Sequence, residues 1–135
     1  MISDAELLQR ATDTVNKREL SSLATAGAVA SALVTPAGNV YLGVNIETAC
    51  SMGFCAEHNA IGTMITAGES AITTIVAINR HGQVLPPCGR CREFIFQVDP
   101  ANSNTRVLLD HGRVLTIDQL LPEQFAQQLT TGLSA

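Results

Sequence analysis

Nine residues, AITTIVAIN at 71–79, form a near-continuous apolar run flanked by cysteines that open helix-like segments, Cys55 ahead of it and Cys88 behind it. A run this short and this β-branched, ended by Pro86-Pro87, reads as a strand, and a strand apolar on both faces must be covered on both. Helices on each side of a central sheet meet that requirement. The chain can supply them: 46% of its 135 residues are hydrophobic and 15% are charged, enough to bury a sizeable core in one domain over 1–135.

The remaining elements follow from local signals. Ser3 followed by Glu6 reads as a capping box, and Ala5, Leu7, Leu8, Ala11 and Val15 place an apolar stripe on a first helix running through about Leu20. AGAVASALVT (26–35) and VYLGVN (40–45) read as strands joined by the turn residues 36–39, a hairpin over 28–45. A second helix spans Cys55 to Ala67 and is closed by Gly68, with Gly62 read as a close-packing position. A third runs from Cys88 to Val98 and ends at Asp99-Pro100. TRVLLD (105–110) and RVLTI (113–117) add strands, and the tail from Ile117 to Leu133 reads as helical. The predicted architecture is α/β: a three-layer α/β/α sandwich around a mixed five-stranded sheet.

A net charge of −4, from 8 Lys+Arg against 12 Asp+Glu, leaves no basic stripe to neutralise duplex phosphates, so nucleic acid is not an expected partner. No run approaches eighteen apolar residues, so no membrane partner is expected either. The start MISDAELLQR has no leader character, and the chain is expected to be cytoplasmic, where disulfides are rare. Its four cysteines, Cys50, Cys55, Cys88 and Cys91, are then metal ligands, catalytic thiols or small buried hydrophobes. Cys55-Ala56-Glu57 opens one helix and Pro87-Cys88-Gly89-Arg90-Cys91 opens the next, and helix starts favour thiolates. Three thiolates with an open fourth position form the pattern of a catalytic zinc site. Glu57, two residues beyond Cys55, can reach a water on the metal without being a ligand, as in zinc deaminases. Two other readings stay open on these residues: a redox pair of Cys88 and Cys91, and a closed four-cysteine site using Cys50. The closed site leaves Glu57 without a job, and Cys50 reads instead as a small buried residue.

The segments GVNIE (43–47), CAE (55–57), PCGRCR (87–92) and LLPxxF (120–125) together resemble the small, homo-oligomeric zinc cytidine deaminases, a family that includes the blasticidin-S deaminases. The resemblance covers most of the chain. It implies one zinc ion per subunit held by Cys55, Cys88 and Cys91, with water as the fourth ligand. It further implies attack of that water on C4 of a cytosine ring, with Glu57 carrying protons to N3 and to the leaving ammonia. Asn45 and Glu47 fall where the family binds sugar hydroxyls, the backbone of Ala56 where it reads the cytosine edge, and Phe54 beside the first ligand as a pocket wall. Phe125 corresponds to an aromatic ring that a neighbouring subunit lays against the pyrimidine, so a homotetramer with a small-molecule nucleoside as partner is expected. Three thiolates on one zinc carry a net formal charge of about −1, which weakens acidification of its water. Where relatives often place an arginine on a ligand thiolate this chain has His58, and Arg90 or Arg92 is left to supply further positive charge.

Two departures bear on the substrate. Cytidine deaminases usually carry Y-S-x-F-x-V-G on the first strand of the hairpin, and the matching stretch here, Ala24–Ala30, has Gly27 and no aromatic wall. VASA (29–32) resembles the blasticidin-S deaminases, whereas Glu47 resembles the cytidine deaminases. The expected activity is hydrolytic deamination of cytidine or 2'-deoxycytidine. The same reaction on a bulkier cytosine nucleoside such as blasticidin S is the alternative, and a non-catalytic zinc-stabilised binding module is the alternative of another class.

Overall fold

A computed structural model describes residues 1–129 of the chain. Strands β1 (Arg18–Ser21), β2 (Ala24–Val34), β3 (Val40–Thr48), β4 (Thr74–Asn79), β5 (Arg106–Leu108) and β6 (Val114–Thr116) form one six-stranded mixed sheet. The helices are α1 (Asp4–Thr14), α2 (Ala56–Thr66), α3 (Gly89–Val98) and the short α4 (Ile117–Leu120). Long β2 is the organiser: β3 pairs along one edge, while β1 and β4 share the other end to end, all antiparallel to it. Beyond β4 the sheet continues with β5, parallel, and β6, antiparallel.

Side-chain alternation assigns the two faces. Ala32, Val34, Val76 and Ile78 meet Leu7 and Ala11 of α1 on one side. Leu33, Ile75 and Val107 meet Ala60, Ile61 and Met64 of α2 and Ile95 of α3 on the other. The apolar run at 71–79 is therefore the doubly covered strand its composition predicts, with Thr74 through Ile78 all buried. Burying each large aliphatic in these clusters contributes roughly 1.5–3 kcal/mol. Among the described residues no helix is long and apolar enough to cross a membrane.

Four local expectations are corrected. The capping box of Ser3 and Glu6 is present, but α1 stops at Thr14 rather than near Leu20. The Asn16 N–H is taken by the Gly27 carbonyl at 2.9 Å, which pulls the chain into β1 and adds the sixth strand. Gly62 marks no close packing, because a Cβ at that position would meet no neighbour within 4 Å. The tail is not one helix: α4 ends at Leu120, and a single 3-10 turn follows at Phe125–Gln128. Residues 130–133 of the expected helix lie outside the described residues. Cys50 is exposed rather than buried, with φ of 60° in the turn after β3.

Candidate metal centre and active site

Because β3 and β4 both run antiparallel to β2, they are parallel to each other and leave the sheet at the same end. Each continues into a loop and then a helix, so the starts of α2 and α3 converge there. Cys55 is the N-cap of α2 and Cys88 the N-cap of α3, both with extended backbone and neither sulfur spent on capping. The loop before Cys55 is stitched back onto β3 by paired hydrogen bonds of 3.0 Å between Ile46 and Phe54. Cys91 lies one turn into α3 and is fully buried. The result is a cluster of Cys55, Cys88 and Cys91 whose sulfurs all lie within 4.8 Å of one another.

Cys55 Sγ is 3.7 Å from Cys88 Sγ, and Cys88 Sγ is 3.6 Å from Cys91 Sγ. A tetrahedral zinc with Zn–S bonds near 2.3 Å sets its sulfurs about 3.8 Å apart, so the donor set fits that ion. The electrostatics also fit a cation. Burial pushes the Cys91 thiol far up from its ordinary value, and the Glu57 and Cys55 charges push it further. Cys55 is raised by burial as well. Burial also opposes ionisation of Cys88, but hydrogen bonds from Cys91, Cys55 and Arg90 outweigh it and lower that thiol. Three crowded sulfurs that resist joint ionisation are a set that a divalent ion resolves. Cys50 lies outside the cluster, which removes the closed four-cysteine reading.

Two adjoining cavities meet at Asn45 and Cys55, residues that line both. The inner one, about 200 Å³, is walled by Val29, Ala56, Glu57, Ala77, Pro86 and Cys88. The outer, about 500 Å³, is walled by Glu47, Thr48, Ser51, Phe54 and Arg90. Glu57, in the first turn of α2, is 6% exposed. Burial raises its carboxyl pKa above the usual range, and hydrogen bonds from its own N–H and from Cys91 offset part of the rise. Asn45 Oδ1 accepts the Val29 N–H at 2.9 Å across a register shift in β2.

His58 Nδ1 lies 3.3 Å from Cys91 Sγ, and its ring stacks on Phe94 with centroids 4.2 Å apart and planes 7° from parallel. Burial first, then the Arg90 charge, lowers the His58 pKa, which keeps the ring neutral near pH 7. Arg90 makes no hydrogen bond to a sulfur through its guanidinium among the described residues. It faces the outer cavity instead. Ten of the twelve residues singled out in the sequence thus gather at one site. Of the other two, Arg92 turns its guanidinium to the Pro87 and Leu120 carbonyls rather than to a sulfur, and Phe125 sits apart on an exposed C-terminal segment with 73% of its surface open. Phe94 is an addition that the motifs do not point to; its signal is its position one turn after Cys91 on α3.

Comparison with known proteins agrees with this geometry. The family described as the cytidine and deoxycytidylate deaminase zinc-binding region matches residues 1–105. A cytidine deaminase of Mycobacterium tuberculosis is 30% identical over 100 residues, 73% of this chain and 72% of that protein. A blasticidin-S deaminase of Bacillus cereus is also 30% identical, over 136 aligned positions covering 92% of this chain and 93% of that one. The crystal structure of cytidine deaminase from Mycobacterium leprae superposes with a TM-score of 0.76 at 25% identity, covering 91% of this chain and all of that one, 100%. With its three-sulfur centre, its buried glutamate and its mixed sheet, the chain belongs to the cytidine and deoxycytidylate deaminase family.

Proposed function

We propose that the protein is a zinc-dependent hydrolase that converts cytidine or 2'-deoxycytidine, with water, to the uridine product and ammonia. The observation that carries this reading is the burial of Glu57 in the same cavity wall as the Cys55 and Cys88 sulfurs, within a cluster completed by Cys91. Zinc, when bound by Cys55, Cys88 and Cys91, supplies Lewis acidity that brings the pKa of water toward neutrality.

The remaining work falls to the chain. Glu57 accepts a proton from the incoming water and passes it to ring N3, then takes the remaining proton from the new C4 hydroxyl and passes it to the amino nitrogen, which departs as ammonia while C4 keeps its oxygen as a carbonyl. Its raised pKa suits a group that must hold a proton between those transfers. In its Nδ1–H tautomer, His58 donates to Cys91 and relieves the sulfur's charge, with Phe94 fixing the ring plane. Arg90 adds its field from the cavity wall. Asn45 has committed Oδ1 to Val29, which leaves its amide hydrogens to donate to a sugar hydroxyl while Glu47 accepts from one. Ala56 at the start of α2 and Phe54 border the base and the cavity mouth. Phe125, open on its own subunit, serves the site of a neighbouring copy in a cytoplasmic homotetramer of one-domain subunits.

Glu57→Gln tests the reading. Activity should fall by about 10²-fold or more while each subunit keeps one zinc. A wild-type protein that binds zinc yet deaminates no cytosine compound would instead be a binding module. A second reading, deamination of a bulkier nucleoside such as blasticidin S, is favoured by the open outer cavity of about 500 Å³. Ultraviolet assays of a substrate panel separate the two: turnover of the bulky compound at or above that of cytidine selects the second.

A further inference from the structure

Arg92 and Glu93 follow the last cysteine of the cluster, and neither side chain turns to the sulfurs. Arg92 Nε donates to the Pro87 carbonyl at 2.7 Å, the carbonyl that precedes Cys88, and Arg92 Nη1 donates to the Leu120 carbonyl at 3.0 Å, where α4 ends. Glu93 Oε1 accepts the backbone N–H of Phe125 at 2.7 Å, and Gln97 Nε2 steadies its other oxygen at 2.9 Å. Among the described residues, the segment after α4 has no strand or long helix of its own. Its other backbone hydrogen bonds, Leu121 to Ile117, Gln127 to Gln124 and Leu129 to Ala126, are local. Within that described range, Arg92 and Glu93 therefore provide the hydrogen bonds that fasten residues 120–129 to the sulfur-bearing helix. Both bonds involve a charged side chain and so are stronger than neutral ones.

We propose that Arg92 and Glu93 are positioning residues that tie the Phe125 segment to the metal-bearing turn, so that the aromatic ring is presented at a set place relative to the Pro87–Cys91 loop. The clamp rests on the substrate reading of Phe125 only for its effect on catalysis; its mechanical part stands without it.

The chain has no tryptophan, so Phe125→Trp installs a single fluorescent reporter on the segment. In that background, Glu93→Leu should lower the reporter's anisotropy, and Glu93→Gln, which retains an acceptor oxygen, should restore most of it. Unchanged anisotropy in Glu93→Leu overturns the clamp. Arg92→Lys keeps the charge but cannot span both carbonyls. It should lower the anisotropy and speed zinc loss to a chelator, and if neither moves, the Arg92 half is refuted. With phenylalanine at 125, Glu93→Leu should raise KM for cytidine roughly tenfold, the equivalent of one lost charged hydrogen bond, and leave kcat within about twofold. If Phe125→Ala leaves KM unchanged, the assignment of Phe125 to the substrate fails, while the anisotropy result still decides the clamp.

Discussion

Gly27 shows how a single residue fixes the path of the backbone between α1 and β1. Its φ is +85°, and a Cβ there would lie 2.0 Å from the Asn16 carbonyl oxygen. The space a side chain would enter is thus occupied by backbone, and none fits without moving the link between α1 and β1. Gly27→Ala is expected to destabilise the protein by about 2 kcal/mol or more, measured by denaturant unfolding, since both the dihedral and the contact oppose it. The other residue-scale lesson concerns Asn45. Sequence places it at the site, but only the bond to Val29 reveals that its oxygen is already committed and that its amide hydrogens are the polar group left free to face the cavity.

Among the elements, one contact sets the site's frame and another fastens a helix to the far side of the sheet. Gly43 lets β3 lie against α2: a Cβ there would sit 2.3 Å from the Ala60 nitrogen and 2.8 Å from the Ala56 oxygen, so any side chain would lever the start of α2 off the sheet. On the opposite face, Asp4 at the start of α1 meets Arg106 of β5 at 2.7 Å. The Arg106 hydrogen bond holds the Asp4 carboxyl below its ordinary value of 3.8. A depressed folded pKa contributes stability above the unfolded pKa, and that contribution is lost as pH falls through the folded value. Both side chains are close to half exposed, so Asp4→Asn should lower stability by less than about 1 kcal/mol near pH 7. The difference from wild type should vanish in unfolding curves taken well below pH 3.8.

For the whole molecule, a low proportion of charge meets a surface that leaves Leu23, Met52 and Phe125 more than 70% open, at 73%, 72% and 73%. Met52 lies between Ser51 and Gly53 of the outer cavity wall, Leu23 lines a separate hollow that shares Glu47 and Thr48 with that cavity, and Phe125 lies on the clamped C-terminal segment. Self-association that covers these residues is expected, with sedimentation giving a mass of four chains. A stable monomer that deaminates cytidine at full rate would overturn the shared-site arrangement.

Much of this is legible in the residues. The capping box, the hairpin, the doubly buried strand and the cysteine-bearing helix starts depend on neighbours within a few positions, and local propensity and periodicity report such neighbours directly. CAE and PCGRC carry the candidate metal ligands and the proposed proton carrier for the same reason: each motif is one helical turn with a fixed internal geometry. The rest depends on partners far along the chain. Strand β1 exists because Arg18 and Glu19 find Ala26 and Thr25, although helical spacing continues past Thr14. Cys50 resembles its three companions in composition, yet a left-handed turn leaves it outside the cluster. Which of several basic side chains serves the sulfurs is likewise settled only by folding, which hands that contact to His58 and sends Arg92 to Pro87 and Leu120. Local residues thus specify the elements and the chemistry available. Folding selects which donors converge and which stay apart, because the packing of α2 and α3 against one end of the sheet sets distances that no local spacing encodes.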